Sequence, residues 1–200
     1  MIEPSDSHGD KPLSRITVVA GGIGSGKSVV CGIISAMGFP VYDCDSRARI
    51  IMDNDDNIKQ SICREVCPDA VSACGRLDRK AIAEVVFADP KRLKTLNRLV
   101  HGAVLDDIRR WYDENDAPRL FVETALLYET RLDKMAGAVW CVEAPLDVRI
   151  RRVMARNGLD ENHVRARILA QHNFVPDGAL ILNNDGIHPL LPAIINALEA

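Results

Sequence analysis

The chain has 200 residues, 47% of them hydrophobic, with 28 acidic and 25 basic side chains and a net charge of −3 at pH 7, which suits one α/β domain with a small insertion. That balance carries no polybasic surface for nucleic acid or membrane, and no apolar run approaches the roughly 18 residues that a bilayer span requires. A cytoplasmic protein without nucleic-acid or membrane partners is therefore expected.

Residues 1–13 open with MIEPSDSHGDKP, which is polar and lacks the apolar core of a signal peptide. They are expected to be a flexible leader before the folded region, 14–200. Ile16 to Val19 then reads as a buried strand. It runs into Gly21 to Ser28, which matches the pattern G-x-x-x-x-G-K-[ST]. Val29, Val30, Ile33, Ile34 and Met37 follow at helical spacing up to Gly38, a helix stop. Strand, glycine-rich loop and helix in this order form a phosphate-binding loop. Successive N–H groups turn inward on phosphate oxygens, and the helix adds its positive end. Gly22, Ile23, Gly24, Ser25, Gly26, Lys27, Ser28 and Val29 are thus candidate nucleotide-binding residues. Lys27 would reach the β- and γ-phosphates and Ser28 would ligate Mg²⁺.

Phe39 to Tyr42 reads as a second strand, ending at Asp43-Cys44-Asp45. Acids at a strand's carboxyl end lie on the ligand-binding edge of an open α/β sheet. One of the two is expected to cap the helix at Ser46 to Met52, and the other to accept the proton of an acceptor hydroxyl. Helical patterns follow at Ile58 to Val66, after Asp78, and in a long helix opened by Asp89-Pro90 that carries Asn97 and His101 one turn apart. Several helices between two strands exceed a single crossover, so residues 53–115 are expected to form a helical subdomain. Arg76 and Arg79 could touch a ligand phosphate there.

Leu120 to Glu123 is a third strand ending in an acid, which resembles a Walker-B strand, and Ala138 to Val142 a fourth. The next helix carries Arg149, Arg151, Arg152 and Arg156 within two turns. Arg152 and Arg156 share a face, able to fork around a transferring phosphate. With the following helix, ending at Gln171, they read as a lid over residues 149–172, with Gly158 as the hinge candidate. Leu180 to Leu182 is a fifth strand, followed by the turn Asn183-Asn184-Asp185-Gly186 on the ligand side, where Asn184 could line a nucleotide base. Leu190 to Leu198 closes the chain as a helix. Of six cysteines only Cys63, Cys67 and Cys74 cluster, without CxxC or matching His spacing, so reduced thiols are expected.

Beyond the loop, the residues resemble the dephospho-CoA kinase family. The matching stretches are Gly21 to Ser28, Asp43-Cys44-Asp45 with Ala48-Arg49, Gly75-Arg76-Leu77-Asp78-Arg79, Leu96-Asn97 with His101, and Leu126-Leu127-Tyr128-Glu129. Arg152 with Arg156, Gln171 and Asn184-Asp185-Gly186 complete the likeness. The resemblance implies a P-loop NTPase fold, a five-stranded parallel sheet flanked by helices, with a helical CoA-binding subdomain and a lid. It also implies phosphorylation of the ribose 3′-hydroxyl of dephospho-CoA by ATP with Mg²⁺, as the last step of coenzyme A synthesis. By the same resemblance Asp45 activates the hydroxyl, Lys27, Arg152 and Arg156 act on the phosphates, and Asp43, Arg49, Arg79, His101 and Glu129 belong to the acceptor side. Ala20, Val29, Gly102, Glu123 and Ala125 depart from the residues usual in that family. Loop, acid and lid by themselves also suit another P-loop kinase of small hydroxyl acceptors, and the loop alone suits a nucleotide-dependent regulator.

Overall fold

The computed structural model describes residues 12–72, 74–125, 127–128, 130–171 and 175–199. Strand β1 (Leu13–Ala20) is buried along its last five residues, as a central strand covered on both faces must be. It opens one residue inside the expected leader, because Leu13 is only 1% exposed. The other strands are β2 (Val41–Asp43), β3 (Leu120–Glu123), β4 (Ala136–Glu143) and β5 (Leu180–Asn183). They form a five-stranded parallel sheet in the order β2-β3-β1-β4-β5.

β1 pairs with β3 on one side, Val19 opposite Glu123, and with β4 on the other, Ala20 opposite Cys141. Since the chain proceeds to opposite sides of β1, the carboxyl end of that strand lies where an α/β sheet forms its ligand crevice. Helix α1 (Lys27–Ala36) buries Val30, Cys31 and Ile34. These pack with Val19, Phe121, Trp140, Leu182 and, from α9 (Leu190–Glu199), Ile194. Phe121 lies at the centre, with ring centroids 5.6 Å from Phe39 and 5.3 Å from Trp140.

β2 is displaced from the expected Phe39 to Tyr42. Phe39 turns to meet Phe121 edge to face, and the Pro40 carbonyl accepts from the Phe121 amide at 3.0 Å. A short helix, α6 (Leu132–Met135), precedes β4; four residues are too few to show a helical period. Helices α7 (Leu146–Asn157) and α8 (Glu161–Leu169) enclose a small core of their own.

The chain divides into two compact units. The first comprises the described parts of Met1–Tyr42 and Asp116–Ala200, and the second is Asp43–Asn115. The second unit holds α2 (Cys44–Asn54), α3 (Asp56–Glu65), α4 (Arg79–Ala88) and α5 (Pro90–Glu114). Each starts behind an aspartate, Asp43, Asp55, Asp78 or Asp89, whose carboxylate accepts from the first turn's amides. The unit begins ten residues before the expected 53 because α2 is tied to α5. Arg47 pairs with the buried Asp107 at 2.7 Å, and Arg110 pairs with the same carboxylate at 2.9 Å. All six cysteines are free thiols. Among the described residues no cluster of His, Cys, Asp or Glu could hold a metal, and no helix is long and apolar enough to cross a membrane.

Candidate active site

The phosphate loop is shaped by packing from below. Gly26 has φ 97°, and a Cβ there would lie 2.0 Å from the Asn184 amide nitrogen. At Gly24, φ 79°, a Cβ would lie 2.7 Å from the Arg149 carbonyl oxygen. Any side chain at either position would push the loop off α7 or off the residues that follow β5. No side chain caps α1, and its first turn holds no acid. The positive end of that helix is therefore not offset by a carboxylate of its own first turn.

Two cations converge on the loop. The Lys27 ammonium donates to the Gly21 carbonyl at 2.9 Å. Arg152, reaching from α7, donates to the carbonyls of Ser25 at 3.3 Å and Asn184 at 3.1 Å, and to the Asn184 side-chain oxygen at 3.1 Å. Asn184 in turn donates to the Ser25 carbonyl at 2.8 Å. Its polar atoms thus serve the loop and Arg152, and at 6% exposure it is a buried support.

The loop and the α7–α8 pair are joined at Ile23. Its side chain packs against the core of Ile150, Val153, Val164 and Ile168. Its amide donates to the Gln171 side-chain oxygen at 2.7 Å, and its carbonyl accepts from Arg149 Nε at 2.9 Å. Between the two helices Gly158 adopts the left-handed conformation, φ 65°, that ends α7. A cleft of about 830 Å³ lies beside the loop, with Gly21, Gly22, Tyr128, Glu143, Arg149 and Asp185 in its wall. Burial pulls the Arg149 guanidinium below its usual range, opposed only in part by Glu143. The Asp185 carboxyl is held well below the usual carboxylate range by the amide and ring of His188 and the amide of Ile187.

Of the residues singled out in the sequence, Gly22 to Val29, Lys27, Arg152 and Asn184 come together in the first unit. Ser28 and Val29 are exposed in the first turn of α1. Glu123 ends β3 beside Val19. Arg156 is exposed and donates to the neighbouring Asn157 at 3.1 Å, so of the paired arginines it is Arg152 that touches the loop. In the second unit Asp43 caps α2, accepting from the amides of Asp45 at 3.0 Å and Ser46 at 3.2 Å. That leaves Asp45, exposed in the first turn of α2, as the acid of the pair not used as the cap. Arg49 is exposed, Arg79 pairs with Asp53 at 3.0 Å, and His101 is half-buried on α5. Leu126, Glu129, His172 and residues 1–11 of the leader lie outside the described residues. Arg149, which is not among the candidates that the sequence offers for the site, also reaches the loop through Ile23. The basic helix named it, but spacing could not tell which arginine turns to the loop.

A family model for dephospho-CoA kinase (CoaE) matches residues 15–186. The chain belongs to the dephospho-CoA kinase family. It is 40% identical over 153 residues to a dephospho-CoA kinase of Thermus thermophilus, covering 76% of this chain and 73% of that one. It is 32% identical over 186 residues to the dephospho-CoA kinase of Porphyromonas gingivalis, covering 90% and 91%. The solved structure of TT1252 from Thermus thermophilus superposes with a TM-score of 0.75 at 36% identity, covering 93% of this chain and 95% of that one. The dephospho-CoA kinase of Campylobacter jejuni, at 21% identity and a TM-score of 0.62, shares the fold. The phosphate loop from Gly21 to Ser28 and the arginine-bearing α7 both fall inside the span matched by the dephospho-CoA kinase model.

Proposed function

We propose that the protein transfers the γ-phosphoryl group of ATP to the ribose 3′-hydroxyl of dephospho-CoA, giving coenzyme A and ADP, in the cytoplasm. The observation that carries this reading is the convergence of Lys27 and Arg152 on a glycine-built loop ahead of a helix whose N-terminus no side chain caps, within a chain of this family. The loop amides and Lys27 hold the donor's phosphates, and Arg152 with Arg156 offsets the charge that builds on the transferring group. Asp45 takes the hydroxyl proton as the acceptor oxygen bonds to the γ-phosphorus and the bond to the β-phosphate oxygen breaks. Asp43 fixes the start of α2 and hence the place of Asp45. Arg49, Arg79, His101 and Glu129 are assigned to the acceptor side by the resemblance.

The Ser28 hydroxyl, exposed in the first turn of α1, is a hard oxygen of the kind that suits Mg²⁺. When bound, Mg²⁺ supplies charge neutralisation at the β- and γ-phosphate oxygens. Ser28 is the residue proposed to ligate it, with Val29 bringing no second hydroxyl. An assay of ADP release with dephospho-CoA, nucleoside monophosphates and shikimate tests the acceptor. Turnover is expected with dephospho-CoA; turnover with another acceptor and none with dephospho-CoA would replace it with a different small-molecule kinase.

A further inference from the structure

Arg149 and Arg152 sit three residues apart on α7, and both touch the phosphate loop, but they are engaged differently. Both terminal nitrogens of Arg152 have acceptors, among them Ser25 and Asn184. Among the described residues Arg149 uses only Nε, on the Ile23 carbonyl at 2.9 Å. Its Nη2 is enclosed and has no acceptor among the described residues. A guanidinium does not give up its proton, so it remains a cation when enclosed. Leaving such a donor without a partner is costly, and the cost is relieved by an anionic acceptor. Glu143 opposes the effect of burial without bonding to Arg149. Arg149 also stands in the wall of the cleft that runs beside Gly21 and Gly22.

We propose that Arg149 is a substrate-binding residue, taking a phosphate oxygen of the bound substrate on Nη2 while Nε keeps the loop seated at Ile23. The proposal rests on the phosphoryl-transfer reading above. Two parts of the reaction offer this chemistry, the polyphosphate of the donor and the pyrophosphate of the acceptor. Either offers anionic oxygens to the N–H groups of a planar guanidinium.

The test is calorimetric titration of the wild type, Arg149→Gln and Arg149→Lys with β,γ-methylene-ATP in one arm and dephospho-CoA in the other, with Tm recorded for each protein. Arg149→Gln is expected to weaken one of the two ligands about tenfold, the size of a lost charged hydrogen bond. The other ligand and Tm should stay near wild type, and Arg149→Lys should recover part of the loss. The arm that responds identifies the phosphate. Affinities within twofold of wild type in both arms would overturn the proposal. So would a loss in the nucleotide arm that comes with a lowered Tm, or a parallel loss in both arms, since the loop holds the donor's phosphates and loss of its support at Ile23 alone would produce the first. If the wild type transfers no phosphate to dephospho-CoA, it is the acceptor assignment that fails, and the nucleotide arm still decides Arg149.

Discussion

Asn184 and Arg152 meet side chain to side chain at 3.1 Å, and Asn184 simultaneously donates to the Ser25 carbonyl at 2.8 Å. One buried amide from the end of β5 therefore supports both the phosphate loop and the arginine above it. Asn184→Ala leaves the Ser25 carbonyl and Arg152 short of a partner. The expected cost is about 1–3 kcal/mol, a Tm lower by roughly 2–4 °C per kcal/mol for a chain of this size. The KM for ATP should rise severalfold. Asn184→Asp keeps the acceptor for Arg152 and loses the donor to Ser25, so it should fall between. Thermal melts and ATP kinetics on both variants measure this, and wild-type values for Asn184→Ala would contradict it.

Lys27 begins α1 and bonds back to the Gly21 carbonyl. Because the proposed role is to hold phosphate, Lys27→Ala should lower nucleotide affinity and turnover together. Titration with β,γ-methylene-ATP reads the first and steady-state ADP release the second. An unchanged affinity would remove Lys27 from the nucleotide site.

The two acids at the start of α2 should separate by phenotype. Asp43→Ala removes a cap and is expected to cost about 1 kcal/mol of stability. Asp45→Asn removes no cap, so Tm should hold while kcat drops about 10²-fold or more at unchanged nucleotide affinity. Near-normal kcat for Asp45→Asn would exclude it as the activating base.

Asp107 is 6% exposed and bonds to arginines from two helices, Arg47 of α2 and Arg110 of α5. Asp107→Ala removes the carboxylate that both guanidinium groups share. Their own partial exposure limits the loss to about 1–3 kcal/mol. Urea unfolding should show a lower midpoint, and Arg110→Ala, which leaves Arg47 in place, should show less.

Asp185 supplies a dependence on pH. Its folded pKa is depressed, so the unfolded chain binds the proton more readily. Its contribution to stability is then complete above the unfolded value, about 4, and is lost as pH falls below that toward the folded value. Asp185→Asn, which keeps an acceptor for the amides of Ile187 and His188, should be less stable than wild type at pH 7. The gap should narrow as pH is lowered through 4 and below. Melting curves of both proteins across this range test the sign.

The elements that could be read from the residues share a short range. The loop from Gly21 to Ser28, the caps at Asp78 and Asp89, the strand Leu120–Glu123 and the arginine helix all announce themselves within a few positions, through turn chemistry and hydrophobic period. The β2 region was displaced because Phe39 answers to Phe121, far along the chain. The second unit starts earlier than the pattern suggested because Arg47 answers to Asp107, 60 residues away.

Sequence by itself determined a phosphate loop between a buried strand and a helix, and the resemblance of the surrounding motifs to one kinase family. Local backbone preferences and the spacing of apolar residues suffice for that. Only the tertiary structure decided which arginines turn inward. Ile23 packs into the core of α7 and α8, bringing its carbonyl to Arg149 and its amide to Gln171, 148 residues distant. Asn184 reaches Ser25 across a separation of 159. Four arginines that look alike on one helix are sorted by where that helix is buried, and burial is a property of the packed chain.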